Sequence, residues 1–470
     1  MSLLIKGGTV VSATGAQPMD VLVDGETITA LLAPGSEPAE AAERGAGEVL
    51  DASGKLVVPG GIDGHTHMEL PFGGTVASDD FETGTRAAAW GGTTTIIDFA
   101  VQAAGEDVRE RLDTWMAKAE GNCAIDYGFH MIIGGVDESS LKAMDVLVDE
   151  GITSFKLFMA YPGVYLADDG QILRAMQQAA GNGGLIMMHA ENGLAIDVLA
   201  EQAVERGETS PINHGYVRRA ELEGEATHRA IQLAKVGAAP LYIVHLSASE
   251  ALVQVAMARD AGGNVFAETC PQYLYLNLED HLGAPGFAGA GYVCSTPLRT
   301  KHEHHHADLW KGLRANDLSV VSTDHCPFCM KDQKELGRDD FRAIPNGIGG
   351  VEHRMDLIYQ GVCAGELTLP RWVELCSTTP ARMFGLYPRK GVIAPGSDAD
   401  IVVYDPERPW TISVDNHHMA LDYSAYEGIE VSGRVDTVLS RGRVIVRNDQ
   451  YEGQKGDGQY LRRGLCAYLQ

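Results

Sequence analysis

Apolar and polar residues follow two rhythms along the chain. From Leu3 to about Val57, short alternating stretches such as Leu3-Leu-Ile-Lys and Val21-Leu-Val-Asp-Gly-Glu-Thr-Ile are broken by Gly and Asp turns, the pattern of brief strands. The spacing predicts an antiparallel sheet. The same texture returns after Lys390, in Asp400-Ile-Val-Val-Tyr-Asp and Val438-Leu-Ser-Arg-Gly-Arg-Val-Ile-Val. The two ends are therefore expected to form one small β-sandwich domain, residues 1–56 with 388–447, around an inserted middle.

Between them, short apolar runs alternate with longer helical stretches: Thr94-Thr-Ile-Ile-Asp, Tyr127-Gly-Phe-His-Met-Ile, Ser154-Phe-Lys-Leu-Phe, Gly184-Leu-Ile-Met-Met-His, Leu241-Tyr-Ile-Val-His, Asn264-Val-Phe-Ala-Glu-Thr and Ser319-Val-Val-Ser-Thr-Asp. Repeated β-then-α units imply a parallel sheet, and this many favour a closed (β/α)8 TIM-like barrel over residues 57–387. Several runs end on a residue able to bind metal. Barrel enzymes build their sites at those strand ends. The Gly-rich, polar tail, 448–470, is expected at a subunit interface or frayed.

Composition narrows the function. Hydrophobic residues are 45% and charged residues 21% of the 470, ordinary for a globular protein with a sizeable core. A formal net charge of -27 repels nucleic acid and anionic lipid, so neither is an expected partner. No apolar run is long enough for a membrane span, and the first residues lack the basic leader and cleavage site of a signal peptide. Eight scattered cysteines suit reduced thiols. A cytoplasmic enzyme is the expectation. Cys326-Pro-Phe-Cys329 matches C-x-x-C but lacks a thioredoxin-like context or a second pair for zinc.

His65-Thr-His67 follows an apolar segment, and residues two apart in an extended chain face the same side. Alone, the pair is a weak metal signal. His189, His245 and Asp324 each end an apolar run, and each alone reads as a satisfied polar residue of core or loop. Together on successive strand ends they favour a metal site. Lys156 sits within Phe155-Lys-Leu-Phe-Met, where an unpaired ammonium is costly. A salt bridge, a snorkelling side chain, or a neutral amine that takes up carbon dioxide as a carbamate would each account for it.

These segments resemble a known family. Gly64-His-Thr-His, Thr153-Ser-Phe-Lys-Leu-Phe-Met-Ala-Tyr, Met188-His-Ala-Glu, Val244-His-Leu-Ser, Glu268-Thr-Cys-Pro-Gln-Tyr, Thr323-Asp-His-Cys-Pro-Phe, Pro345-Asn-Gly and Phe384-Gly-Leu-Tyr-Pro-Arg-Lys-Gly are similar to the motif set of the dihydropyrimidinase/D-hydantoinase family of amidohydrolases. The resemblance implies two zinc ions bridged by N6-carboxylated Lys156 and a hydroxide. His65, His67, Lys156 and Asp324 would surround one, and Lys156, His189 and His245 the other. It implies Asp324 as proton shuttle and Tyr161 as oxyanion donor. Ser295 and Asn346 would recognise a cyclic ureide, and Phe72, Phe158 and Tyr165 would receive the ring substituent. It also implies a homotetramer.

The chain departs from the family pattern with Ser295-Thr-Pro-Leu-Arg in place of Ser-Pro-Pro-Leu-Arg, and with Arg218-Arg-Ala in place of Ser-Arg-Pro. His302-Glu-His-His-His306 is a tempting second metal cluster, but a polar segment before a helix is expected to be solvated. Dihydroorotases commonly carry Arg two residues after the second metal histidine, where this chain has Glu69, which would repel a substrate carboxylate. Allantoinase stays an alternative. Non-catalytic scaffold relatives lack the full metal set present here.

Overall fold

The computed structural model describes residues 2–469. Eight parallel strands form the central sheet: β1 Gly61–Thr66, β2 Thr93–Gln102, β3 Asp126–Ile133, β4 Ser154–Phe158, β5 Leu185–His189, β6 Leu241–Ile243, β7 Val265–Thr269 and β8 Val320–Val321. They pair in sequence order, and a parallel bridge between Thr66 and His325 joins the last to the first. All ten residues of β2 and all eight of β3 are buried, as strands covered on both faces must be. The expected (β/α)8 barrel is the observed core.

Local chemistry starts the helices between the strands. Asp80, Asp107, Asp137 and Asp168 each accept a hydrogen bond from a first-turn backbone N–H, satisfying donors that a helix start leaves free. At the opposite ends the strands run into loops. Every site-bearing segment is thereby delivered to the same mouth.

The two termini build two further sheets. Thr27–Leu32, Asp20–Asp24, Ser2–Lys6 and Glu48–Asp51 form one of four strands. The second has seven, in the order Gln450–Tyr451, Arg443–Arg447, Arg434–Ser440, Ile401–Asp405, Leu56–Pro59, Thr9–Ser12 and Gly15–Pro18. Leu3, Ile5, Val21, Val57, Ile401 and Val403 pack between them as a separate core. The expected antiparallel pairing has two exceptions: Ser2–Lys6 with Glu48–Asp51, and Thr9–Ser12 with Leu56–Pro59, are parallel. An unanticipated helix, Glu37–Gly45, capped by the Ser36 side chain and carrying Pro38 in its first turn, joins Thr27–Leu32 to Glu48–Asp51. A helix between two strands returns the chain in its original direction, which a hairpin cannot do.

The run from Leu56 to Gly64 divides at Gly60: its first half is a sandwich strand and its second half is β1. A side chain at Gly60 would meet Thr94 Oγ1 at 2.1 Å. A buried charge cluster pins the two units together. Lys390 Nζ lies 2.6 Å from Asp126 Oδ2 at the start of β3, 2.5 Å from Asp400 Oδ2 and 3.0 Å from Asp398 Oδ2. Past Tyr451 the chain returns to the barrel, where Leu461 N donates to Tyr127 O at 2.7 Å and Arg463 Nη2 to Ser154 Oγ at 2.9 Å.

Replacing Lys390 with Met would leave Asp400 in the interior without a cation, and Asp126 and Asp398 with only Arg441 and Arg389. Loss of one partner from a buried ion pair typically costs about 3–5 kcal/mol. The Lys390→Met variant is expected to show a loss of that order in urea unfolding relative to wild type.

Candidate metal centre

β1 ends in His65 and Thr66, with His67 next, so both imidazoles point into the barrel mouth. Gly64 makes room for this turn, since a Cβ there would meet the Phe384 ring at 2.4 Å. Lys156 projects from the middle of β4, His189 is the last residue of β5, His245 lies two residues beyond β6 and Asp324 three beyond β8. The structure brings all six to one point. His65 Nε2 is 2.9 Å from Lys156 Nζ and 3.1 Å from Asp324 Oδ1, and His67 Nε2 is 3.3 Å from the same oxygen. The His245 ring lies 4.6 Å from His189 and 5.5 Å from His65, centroid to centroid. His245, Asp324 and Tyr161 have φ of 39°, 52° and 62°, left-handed conformations that cost free energy and gather at functional sites.

Each site histidine has its own environment. His65 Nδ1 faces Glu268 Oε1 in a very short contact, and Glu268 also accepts from Tyr242 Oη at 2.8 Å and His245 N at 3.2 Å. His189 Nε2 pairs with Glu191 Oε2 at 2.7 Å, and Arg218 Nη1 holds that oxygen at 2.7 Å. Carboxylates on the far nitrogens fix the tautomer and turn the other nitrogen toward the centre. Burial pulls the His67 pKa down to about 3, that of His245 well below the usual value, and that of His189 down despite Glu191. These three are neutral imidazoles, the ligand form. In His65, burial and Lys156 lower the pKa, but Glu268 and Asp324 outweigh them and raise it. Burial opposes ionisation of Asp324, yet His65 and His67 hold its carboxyl well below the usual range.

The donors fit a divalent cation. If His65 Nδ1–H donates to Glu268, the Nε2 lone pair faces an Asp324 oxygen at 3.1 Å, and a cation relieves that opposition. His65, His67 and Asp324 each offer a ligand atom within 4.8 Å of the others. His67 Nδ1 and His245 Nδ1 are buried without a hydrogen-bond partner among the described residues. Lys156 is 2% exposed, and burial draws its pKa down to about 8. Its Nζ stands 4.4 Å over the Phe99 ring and 5.0 Å from that of Phe158, and its one hydrogen-bond partner among the described residues is His65.

Above this centre lies a small cavity whose lining includes Phe72, Phe158, Tyr161, Tyr165, Ser295 and Asn346. Phe72 packs edge-on against Tyr161 at 5.4 Å, and Phe158 stacks on Tyr165 at 5.2 Å. Burial raises the Tyr161 pKa, keeping the phenol a donor, and Asn346 Nδ2 lies 3.4 Å from its Oη and 3.0 Å from Ser295 Oγ. A cleft of about 740 Å³ that shares Phe72, Tyr161, Tyr165 and Asn346 with this cavity leads outward. Where the family often has Pro, Thr296 donates its hydroxyl to His245 O at 3.0 Å.

The model of the amidohydrolase family matches residues 56–445, from the last sandwich strand before the barrel through the whole of it. The chain is 64% identical to a D-hydantoinase of Streptomyces coelicolor over 99% of each chain. It belongs to the amidohydrolases, among the hydantoinases and dihydropyrimidinases. It is 47% identical to a D-hydantoinase of Geobacillus stearothermophilus, over 100% of this chain and 98% of that one. The crystal structure of a dihydropyrimidinase from Brevibacillus agri superposes with a TM-score of 0.95 at 46% identity, over 99% of both chains. This amidohydrolase is thus a hydrolase of cyclic amides.

Other expectations fall outside the hydantoinase centre. Glu69 pairs with Lys118 at 3.3 Å, away from the cavity lining. Of the 302–306 cluster, His302 and His304 are exposed as expected, but His305 is buried against Ser249 and His306 donates to Leu276 O at 2.9 Å. These two sit at the start of the His305–Ala315 helix, which packs on the barrel. Cys326 lines the cavity, while Cys329 Sγ is directed to Ala420 O, and both thiols are free.

Sequence reasoning assigned no role to Glu268, Glu191 or Arg218. Glu268 carries the same signal as Lys156, a charge inside an apolar strand, and is fully buried. Second partners of this kind usually affect metal affinity by about 10–100-fold. Glu268→Gln is expected to weaken divalent-metal binding by that order in a competition titration against a chromogenic chelator, with the fold retained by circular dichroism.

Proposed function

We propose that this hydrolase is a zinc-dependent dihydropyrimidinase/hydantoinase, opening 5,6-dihydropyrimidines and 5-substituted hydantoins to N-carbamoyl amino acids. The observation that carries the reading is the buried Lys156 amine, set among His65, His189, His245 and Asp324 at the foot of a cavity with polar groups on one wall and aromatic rings on the other. A neutral amine there adds carbon dioxide and releases a proton, which converts a costly buried ammonium into an anionic oxygen ligand. With Lys156 carboxylated, His65, His67 and Asp324 complete one zinc site, and His189 and His245 the other. Zinc held by these residues would supply an acidified water as nucleophile and polarisation of the target carbonyl.

The side chains do the rest. Asp324 Oδ takes the proton of the attacking water and delivers it to the departing ring nitrogen. The Tyr161 hydroxyl donates to the oxygen on which negative charge develops, an effect commonly worth about 3–4 kcal/mol. Ser295 and Asn346 hold the N–H and C=O edge of the ureide, and Phe72, Phe158 and Tyr165 enclose the substituent on the ring carbon. The lining excludes bulk water from the carbonyl, which strengthens each of these contacts.

A cytoplasmic homotetramer accompanies this reading. Exposed Leu194, Val198 and Tyr216, on neighbouring turns of two helices, supply apolar surface suited to contact between copies. No helix among the described residues is long and apolar enough to cross a membrane.

The test is turnover of dihydrouracil, hydantoin, 5-substituted hydantoins of both hands and allantoin by the zinc-loaded protein. Ring opening of the first three kinds is expected. Preference for allantoin, or no turnover at all, would overturn the assignment. Lys156→Ala is expected to lose activity and to regain part of it with short-chain carboxylic acids, which place an oxygen pair where the carbamate would lie. Normal turnover by the untreated variant contradicts the bridging role.

A further inference from the structure

Lys334 is fully buried, although it lies in a polar stretch of chain, Asp332-Gln-Lys-Glu. It opens the short helical turn Lys334–Gly337, and its Nζ donates to Val293 O at 3.0 Å, Pro345 O at 2.7 Å and Gly347 O at 2.8 Å. An ammonium has three N–H donors, and all three are taken up. Burial works against the charge and draws the pKa down to about 7. A neutral amine would turn a lone pair on one of the three carbonyls, so the geometry calls for the cation.

The three carbonyls come from two segments about fifty residues apart, and these are the segments that carry Ser295 and Asn346. Further bonds join the same pair: Gly347 N donates to Val293 O at 2.9 Å, and Asn346 Nδ2 to Ser295 Oγ at 3.0 Å. His214 Nε2 holds Cys294 O at 2.8 Å. Gly347 has φ 156°, and a Cβ there would lie 2.0 Å from Cys326 O, so the second segment also lies against the strand-end loop that bears Asp324. Neighbouring peptide groups are thus tied down. By contrast, the peptide groups of Ser295 and Asn346 have no hydrogen-bond partner among the described residues, and both residues line the cavity above Lys156 and Asp324.

We propose that Lys334 is the positioning residue for ureide recognition, its ammonium fixing the spacing of the 293–295 and 345–347 segments so that the Ser295 and Asn346 peptide groups form a rigid frame for the ring. The inference rests on the cyclic-ureide reading for its substrate and on the bond geometry for the tie itself. Lys334 lies behind both segments and touches no reacting atom. Its effect is therefore on where the ring sits, and it acts through KM more than through the chemical step.

Lys334→Met keeps the length of the side chain and removes the three donors. In the zinc-loaded enzyme, KM for dihydrouracil and hydantoin is expected to rise ~10-fold or more, with kcat within ~3-fold. Affinity for acetohydroxamate, a small chelator that needs only the metal centre, is expected to stay at the wild-type value. Hydrogen exchange at 293–296 and 345–348 is expected to speed up in both segments together, with or without substrate. Lys334→Arg, which retains charge and donors, is expected to recover part of the KM change.

An unchanged KM, or wild-type exchange rates in the two segments, would overturn the proposal. So would weakened acetohydroxamate binding, which would point to general loss of structure. If the Met variant does not fold, the Arg variant decides: a raised KM with faster exchange in both segments and kcat within ~3-fold supports the tie, and wild-type KM with wild-type exchange, or a collapse of kcat at unchanged KM, overturns it. If the wild-type enzyme opens no cyclic ureide, the functional reading falls, and the exchange arm alone judges whether Lys334 holds the segments.

Discussion

Placing the Lys156 amine inside the barrel mouth, over the Phe99 ring and with one imidazole nitrogen as its hydrogen-bond partner, is a cost the fold must offset. Burial alone disfavours its charge, and no carboxylate among the described residues reaches it closely enough to pair. On the proposed reading, the arrangement becomes favourable when the group is converted to an anion that cations share. The neighbouring residues are consistent with that outcome: three neutral imidazoles, a carboxylate held ionised, and glutamates on the far sides of His65 and His189 that set which nitrogen faces inward.

The remainder of the barrel serves that centre by geometry. Parallel strands buried on both faces give a rigid cylinder, and their common direction sends residues far apart in sequence to one rim. On the proposed reading, strand ends carry the metal donors, while the loops beyond them carry recognition: Tyr161 after β4, Ser295 after β7 and Asn346 after β8. A metal centre demands short, fixed distances, whereas substrates vary in their ring substituent. The aromatic side of the cavity accordingly opens into a wide cleft, and the polar side is braced by Lys334 and His214.

Much of this was legible in the sequence because parallel barrel strands are apolar throughout, so a polar residue within or just after one stands out. Lys156, His189, His245 and Asp324 are such residues, and the family motifs around them added roles that spacing does not supply. Other features carried no local mark. Lys334 lies in a polar run indistinguishable from surface loop, and only the tertiary fold buries it. The split of Leu56–Gly64 between two units is hidden in one continuous apolar stretch. The Glu37–Gly45 helix is short and bounded by Pro and Gly, and missing it concealed the parallel pairing of Glu48–Asp51, the strand it leads into, with Ser2–Lys6. His305 and His306 reverse their expected exposure because the helix they begin packs on the barrel.

The central claim is that one centre, built on Lys156 and the surrounding imidazoles, performs the hydrolysis with two cations. Zinc titration into metal-stripped protein, with bicarbonate present and hydantoin turnover followed on the same samples, tests it most directly. Activity that climbs with added zinc and levels off at two equivalents per chain is the expected result. Full turnover by protein that holds no transition metal would contradict the account.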